Sequence, residues 1–508
     1  MATIDGNEAL KCADCERSDS RVTDLKPTQR LEIPTEAIVA GAAEVPGARR
    51  YNRRAALVNG VAGMAAIYSA TRLDWNRVWE AAAAEAAGNP GARKLVLIYL
   101  QGGADSLNMF VPQDATQYGQ YMARRANIAR TLGASTSLQQ VGATPFAGAA
   151  GGTIGFANPL LSGAMNNQLY TMAGIPAGAG GLDTLFGDGS GGAGSNLAIF
   201  PAADYNPSNH SHFDSRDYWF AGSLKKQTTG WIGRYLDREG SQLNPLQAIS
   251  LDSSLSKQIR TSRAPVCALN GLQGIQFDVR NVVTPANSAN LQIDRLAKVG
   301  TTKSNVALAR SRQSFGLTTS VSNKVRTLRP QGSPAAYPDS YLSNRLRLAA
   351  QLLAAPLGTR VVTLDWGSFD THGDQIPSMD PQLAVLGASL AAFQADLNAR
   401  GIGDQVMTVV FSEFGRRVDS NDSGGTDHGA GGPMMVFGNK VKGGLASAPS
   451  DLNNLTENYD LRVSTDFRHV YKAIFQEWFA TNPAYYLPDL PGGSINRFDG
   501  TNKLLKAA

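Results

Sequence analysis

Four short runs of consecutive apolar residues, each broken off by glycine or by polar residues, decide what this chain can fold into. Lys94–Leu100 reads KLVLIYL and stops at Gln101-Gly102-Gly103; similar runs recur at 196–200, 360–364 and 405–411. An unbroken apolar run of this length suits a strand buried on both faces, not one with a wet side. Helical spacing fills the intervals: Leu383, Leu386, Leu390, Phe393 and Leu397 recur at three and four residues. Phe467, Val470, Ile474, Phe475 and Trp478 do the same behind Thr465, a candidate N-cap. Strands alternating with helices predict an α/β fold, a doubly wound and mainly parallel sheet with helices on both faces. Ligands of such sheets bind beyond the carboxyl ends of the strands, so the residues after each run are where chemistry is expected.

The chain has 508 residues, 43% of them hydrophobic, enough for one large core. Lys and Arg total 47 against 42 Asp and Glu, a net charge of +5 that is too small for a dedicated nucleic-acid binder. Three cysteines cannot build a disulfide framework. Cys12 and Cys15 have metal-ligand spacing, but no second pair of ligands lies nearby in sequence. Residues 1–48 read as a polar N-terminal extension, and 49–72 as a twin-arginine signal segment: Arg53-Arg54 leads into a weakly apolar, small-residue run through Ala70. Export by the twin-arginine machinery to the periplasm or the exterior is expected, with no stable transmembrane span in the mature protein. The remainder, 94–508, reads as a single domain with insertions at about 133–196 and 269–333. The first insertion holds 16 glycines in 64 residues, which predicts long loops with little regular structure.

The strand ends collect the polar chemistry. Asp105 follows the first run; His210, Ser211, His212, Asp214, Ser215 and Arg216 follow the second. Asp370, His372 and Asp374 follow the third, and Glu413, Arg416, Asp427 and His428 the fourth. Only five histidines exist, and four of them fall in these segments beside carboxylates, the donor set of a zinc, manganese or iron site. Two such clusters could hold two metals about 4 Å apart. His469 lies off the apolar stripe of its helix and reads as a surface residue.

In order along the chain stand Gly102-Gly103-Ala104-Asp105-Ser106-Leu107-Asn108, Ser211-His212-Phe213-Asp214, Phe369-Asp370-Thr371-His372, Ser412-Glu413-Phe414-Gly415-Arg416, Asp427-His428-Gly429 and Thr465-Asp466-Phe467-Arg468. This set resembles the bacterial family called domain of unknown function 1501, whose members commonly carry twin-arginine leaders and which looks like a branch of the alkaline phosphatase and sulfatase superfamily. The resemblance implies an alkaline phosphatase-like fold with two divalent metal ions, of zinc, manganese, iron or calcium. It matches Asp427, His428 and Asp105 to one metal. Asp370 and His372 resemble the ligands of the other, with Asp374 as a further candidate. Ser211, at a helix start, matches the superfamily nucleophile ahead of Ser215 and Ser106. Arg216 and Arg416 are candidates for holding an anion, and His212 for a metal ligand or general acid. Cys267 stands in no sulfatase-type motif. The implied activity is hydrolysis of a phosphate or sulfate ester, on a small molecule or polymer. The alternative is a non-catalytic exported binding or assembly protein that keeps the fold.

Overall fold

The computed structural model describes residues 92–130, 138–141, 154–161, 175, 179–187, 192, 194–269, 332–492 and 503–507. The extension, the leader and nearly all of the second insertion lie outside the described residues. The strands are β1 (Lys94–Leu100), β2 (Phe110–Pro112), β3 (Leu138–Val141), β4 (Ile154–Ala157), β5 (Leu197–Asp204), β6 (Ala248–Ser250) and β7 (Cys267–Ala268). They continue with β8 (Val361–Trp366), β9 (Val406–Ser412), β10 (Gly415–Arg416), β11 (His428–Gly429), β12 (Gly432–Phe437), β13 (Gly444–Leu445) and β14 (Thr465–Asp466). The α-helices are α1 (Ser106–Met109), α2 (Ala115–Arg124), α3 (Leu182–Phe186), α4 (His212–Ala221), α5 (Trp231–Glu239), α6 (Tyr341–Ala354), α7 (Gln375–Ala399) and α8 (Phe467–Ala473).

Nine strands form one sheet in the order β13-β5-β12-β9-β1-β8-β6-β7, with β14 also paired to β5. Every pairing in it is parallel except those of β12, which runs antiparallel to both β5 and β9. The expected mainly parallel α/β sheet is therefore what the chain forms. Each of the four apolar runs becomes a strand, and the second extends to Asp204.

Side-chain alternation divides the core in two. From β1, Val96, Ile98 and Leu100 enter one apolar cluster, with Leu342 and Leu346 of α6 and Leu383, Leu386, Leu390, Phe393 and Leu397 of α7. Leu95, Leu97 and Tyr99 enter the other, with Trp219 of α4, Trp231 and Tyr235 of α5, and Phe467 and Tyr471 of α8. Helices thus cover both faces, and the sites left open to ligands are the ends of the strands. No helix among the described residues is long and apolar enough to cross a membrane.

Three local expectations change. Asp466, not Thr465, caps α8, its carboxylate accepting the Arg468 amide, while Thr465 pairs in β14. Within 133–196, expected to be loops, the described residues include β3, β4 and α3; β2, β4 and β3 form a small separate sheet. His469 is 1% exposed, its Nε2 bonded to the Pro491 carbonyl at 3.0 Å, so it is a core residue and not a surface one.

Candidate functional site

The turn after β1 organises the site. Gly102 and Gly103 have φ of 105° and 70°, and a Cβ on Gly103 would stand 2.2 Å from the Phe414 ring, so only glycine fits. Their amides donate to the fully buried Glu413 carboxylate, at 2.9 Å from Gly102 to Oε1 and 3.0 Å from Gly103 to Oε2. Burial works against the Glu413 anion, but His212 and these amides outweigh it and hold its carboxyl below the usual range.

Glu413 in turn accepts from His212 Nδ1 at 2.9 Å. His372 Nδ1 stands 3.0 Å from Asp427 Oδ1, and His428 Nδ1 is 3.0 Å from the His210 carbonyl oxygen. A carbonyl or carboxylate oxygen can only accept, so all three rings carry their proton on Nδ1 and present Nε2. The three Nε2 atoms converge on one carboxylate. His372 and His428 Nε2 each lie 3.0 Å from Asp370 Oδ1 and 3.0 Å from each other, and His212 Nε2 is 3.3 Å from Asp370 Oδ2. His212 Nε2 is buried with no hydrogen-bond partner.

Donor atoms this close match the edges of a tetrahedron around one cation, about 3.3 Å for bonds of 2.0–2.1 Å. His212, Asp370 and His428 offer ligand atoms within 4.8 Å of one another. With neutral rings, the Nε2 lone pairs of His372 and His428 face each other, an arrangement that a cation between them relieves. The side chains of His212, Asp370 and His372 keep exposures of 25%, 33% and 19%, so one side of the cluster opens to solvent. Burial would raise the Asp370 carboxyl, but its imidazole neighbours and the Arg416 charge hold it far below its ordinary value. Burial also lowers His428, helped by the charge of Arg416.

His428 reaches this end of the sheet because β12 is antiparallel: the start of β12 lies beside the carboxyl ends of its neighbours, and β11 just precedes it. The two expected clusters therefore meet as one, with Asp370, His372 and His428 joined by His212. Asp427 is not in the inner group; half exposed, it holds the far nitrogen of His372. Asp374 starts α7 with φ of 44° and no side-chain capping bond.

Five candidate site residues are redirected by packing. Asp105 is 1% exposed, ion-paired with the fully buried Arg125, and accepts from Gln375 Nε2 and from the Leu107 amide at 3.1 Å. These partners make Asp105 the anchor of α1, and none of its bonds is to the imidazole cluster. Arg416 is 1% exposed and donates to the carbonyls of Gly102, Gly103 at 2.7 Å, Thr426 at 2.8 Å and Phe369 at 3.1 Å, besides Asp370 at 2.6 Å. From its buried position it ties three strand-end loops together. Ser211 Oγ caps α4, accepting the Asp214 amide at 3.4 Å, and no base among the described residues is bonded to it. Ser106 and Ser215 are buried and donate to the carbonyls of Pro201 and Glu413.

Arg216 alone of the anion candidates keeps its guanidinium unbonded among the described residues, 5.9 Å over the exposed Phe213 ring. Cys267 lies in the edge strand β7, its thiol pushed up to about 12 by burial, which rules out a resting thiolate nucleophile. Sequence reasoning placed Glu413 after the fourth run but not as the group that orients His212, and it missed the His210 carbonyl, because a backbone oxygen leaves no trace in sequence.

A family model described as "Protein of unknown function (DUF1501)" matches residues 221–481, a span that carries Asp370, His372, Glu413, Arg416, Asp427 and His428. No curated protein matches the sequence. Among solved structures, a protein in the alkaline phosphatase superfamily from Vibrio parahaemolyticus is similar at 8% identity, over 85% of this chain and 81% of that one, with a TM-score of 0.27. PsFucS1 sulfatase from Pseudoalteromonas sp. is similar at 10% identity, over 86% and 76%, with a TM-score of 0.25. Scores this low carry no argument about activity.

Proposed function

The chain belongs to the DUF1501 family, and from the geometry of its strand-end centre we propose that it is an exported, metal-dependent hydrolase of phosphate or sulfate esters. One observation carries this reading: three imidazoles with Nδ1 fixed by acceptors aim Nε2 at a single carboxylate. His212, Asp370, His372 and His428 would hold one divalent cation of the zinc class, the observed geometry favouring one ion over two. When bound, such an ion brings the pKa of a water toward neutrality and polarises the ester oxygen.

The protein's own residues then have distinct tasks. Glu413, Asp427 and the His210 carbonyl keep the rings in the tautomer and orientation that presents Nε2, the usual work of groups behind metal-binding histidines. Arg416 holds Asp370 in place from the buried side. Arg216, one turn after His212 on α4, takes the charged oxygens of the ester. Water is the nucleophile, since Ser211 is engaged in capping and lacks a base. Export rests on Arg53-Arg54 and the run behind them, and the twin-arginine route delivers folded protein with its cation in place.

The test is elemental analysis of the mature chain purified from the periplasmic fraction, with assays on aryl phosphates and aryl sulfates. Near one equivalent of a transition metal, lost together with activity in His428→Ala, is the expected result. Less than about half an equivalent with no turnover overturns the reading in favour of a non-catalytic module.

A further inference from the structure

Between β10 and β11 the chain runs Val418-Asp419-Ser420-Asn421-Asp422-Ser423-Gly424-Gly425-Thr426, a series rich in turn residues. It is bonded to the turn that carries His372. The carbonyls of Ser423 and Gly424 accept the Asp374 and Gln375 amides at 3.1 and 2.9 Å, N–H groups that the start of α7 leaves without a helical partner. The Thr426 amide donates to the Thr371 carbonyl at 3.2 Å. Gly425 lies directly on the same turn: a Cβ there would stand 2.3 Å from the His372 carbonyl carbon.

Asn421 is at the centre of these contacts, with its polar groups engaged. Its Oδ1 accepts the Ser423 and Gly425 amides at 3.1 and 3.0 Å. Its backbone N–H donates to the Gly425 carbonyl at 2.9 Å, and its backbone carbonyl accepts Asn127 Nδ2 at 3.0 Å. Nδ2 carries two protons. It donates to the His372 carbonyl at 2.9 Å and to Asp427 Oδ1 at 3.4 Å, the same oxygen that stands 3.0 Å from His372 Nδ1. One amide nitrogen therefore holds both the backbone of His372 and the partner of its ring. The other two rings do not need this help, because their Nδ1 acceptors are the buried Glu413 carboxylate and a backbone carbonyl. Asp427 is a half-exposed side chain, and water competes for its oxygens.

We propose that Asn421 is a positioning residue for His372, fixing the ring in the orientation that points Nε2 at Asp370. A hydrogen bond to an exposed carboxylate is worth little by itself, since water replaces either partner. A second donor on the same oxygen, anchored to the loop through its own Oδ1, removes rotamer freedom before any cation arrives, so less ordering is left to be done on binding. This deepens the hydrolase reading at its cation centre and rests on it only for what His372 Nε2 receives.

Asn421→Asp isolates the amide nitrogen: it keeps an oxygen for the Ser423 and Gly425 amides and sets a second oxygen against two acceptors. Nitrogen NMR of chelator-treated protein with isotope-labelled histidine reads which ring nitrogen carries the proton, with no cation needed. The wild type should hold the His372 proton on Nδ1. In Asn421→Asp that signal should give way to a mixture of tautomers, while those of His212 and His428 stay. Cobalt(II) affinity of the same samples, by competition with a chelator, should fall about tenfold. Adding Asp427→Asn restores a donor opposite an acceptor, so the double variant should match Asp427→Asn alone within about threefold. In the wild type, the Asn421 side-chain amide protons should exchange at least about tenfold more slowly than those of the exposed Asn453, a readout that needs no variant to fold. An unmoved His372 tautomer in Asn421→Asp, losses that multiply in the double variant, or equal exchange at Asn421 and Asn453 overturns the proposal. A wild type that binds no cobalt overturns the cation reading instead, while the His372 tautomer still decides this one.

Discussion

Asp105 and Asp370 follow neighbouring strands of one sheet, yet they live in opposite conditions. Asp105, after β1, is sealed in the core with a guanidinium, an amide side chain and a backbone amide around it. Asp370, after β8, is a third exposed and ringed by imidazole nitrogens whose protons are committed elsewhere. A third aspartate, Asp204 at the end of β5, has neutral donors only: the amides of Tyr205 and Gly431 and the Ser208 hydroxyl. What a strand-end carboxylate does follows from what surrounds it. A buried cation makes it a structural anchor, facing lone pairs make it a cation ligand, and neutral donors leave it close to protonation.

The comparison breaks most easily at Asp105. Arg125→Ala leaves a buried, uncompensated carboxylate and should cost about 3–5 kcal/mol in urea denaturation, while the metal content of the remaining folded protein stays unchanged. Loss of metal with little loss of stability would show that Asp105 belongs to the cation site after all.

Next in size is the orienting shell. Asp427→Asn should weaken metal affinity roughly 10–100-fold, measured by competition with a chelator, and leave the fold intact. An effect as complete as that of His428→Ala would restore Asp427 to the inner ligands.

The smallest effect separates Asp204 from the other two. Burial raises its carboxyl from the ordinary 3.8 to about 7. The folded state then holds a proton that the unfolded state has released between those values. Its contribution to stability is present below pH 4 and is lost as pH rises through 7. Wild-type urea midpoints should fall relative to those of Asp204→Asn between pH 4 and pH 8; a constant gap would show that Asp204 is ionised throughout.

Much of the site was legible because strand ends are legible. His212, His372 and His428 stand just beyond or before apolar runs, and glycine pairs such as Gly102-Gly103 mark close approaches. Asp105 looked as good a ligand as Asp370 because both are carboxylates at a strand end, and Arg125, which separates them, lies 20 residues along the chain on no recognisable motif. Arg416 looked like an anion holder because guanidinium groups often are; that its donors go to backbone carbonyls cannot be seen in sequence. His469 misled because Pro491, its partner, lies beyond the helix that the spacing describes.

The sequence by itself determined the four longest apolar strands, that helices cover both faces of the sheet, and that imidazole and carboxylate gather at strand ends. These follow from period and composition, which are local. Only the tertiary structure decided that β12 runs against its neighbours, that two expected clusters are one, and which carboxylate faces open lone pairs. The reason is distance along the chain. Glu413 meets Gly102 across 311 residues and His212 across 201, and no periodicity encodes which buried group another one will find.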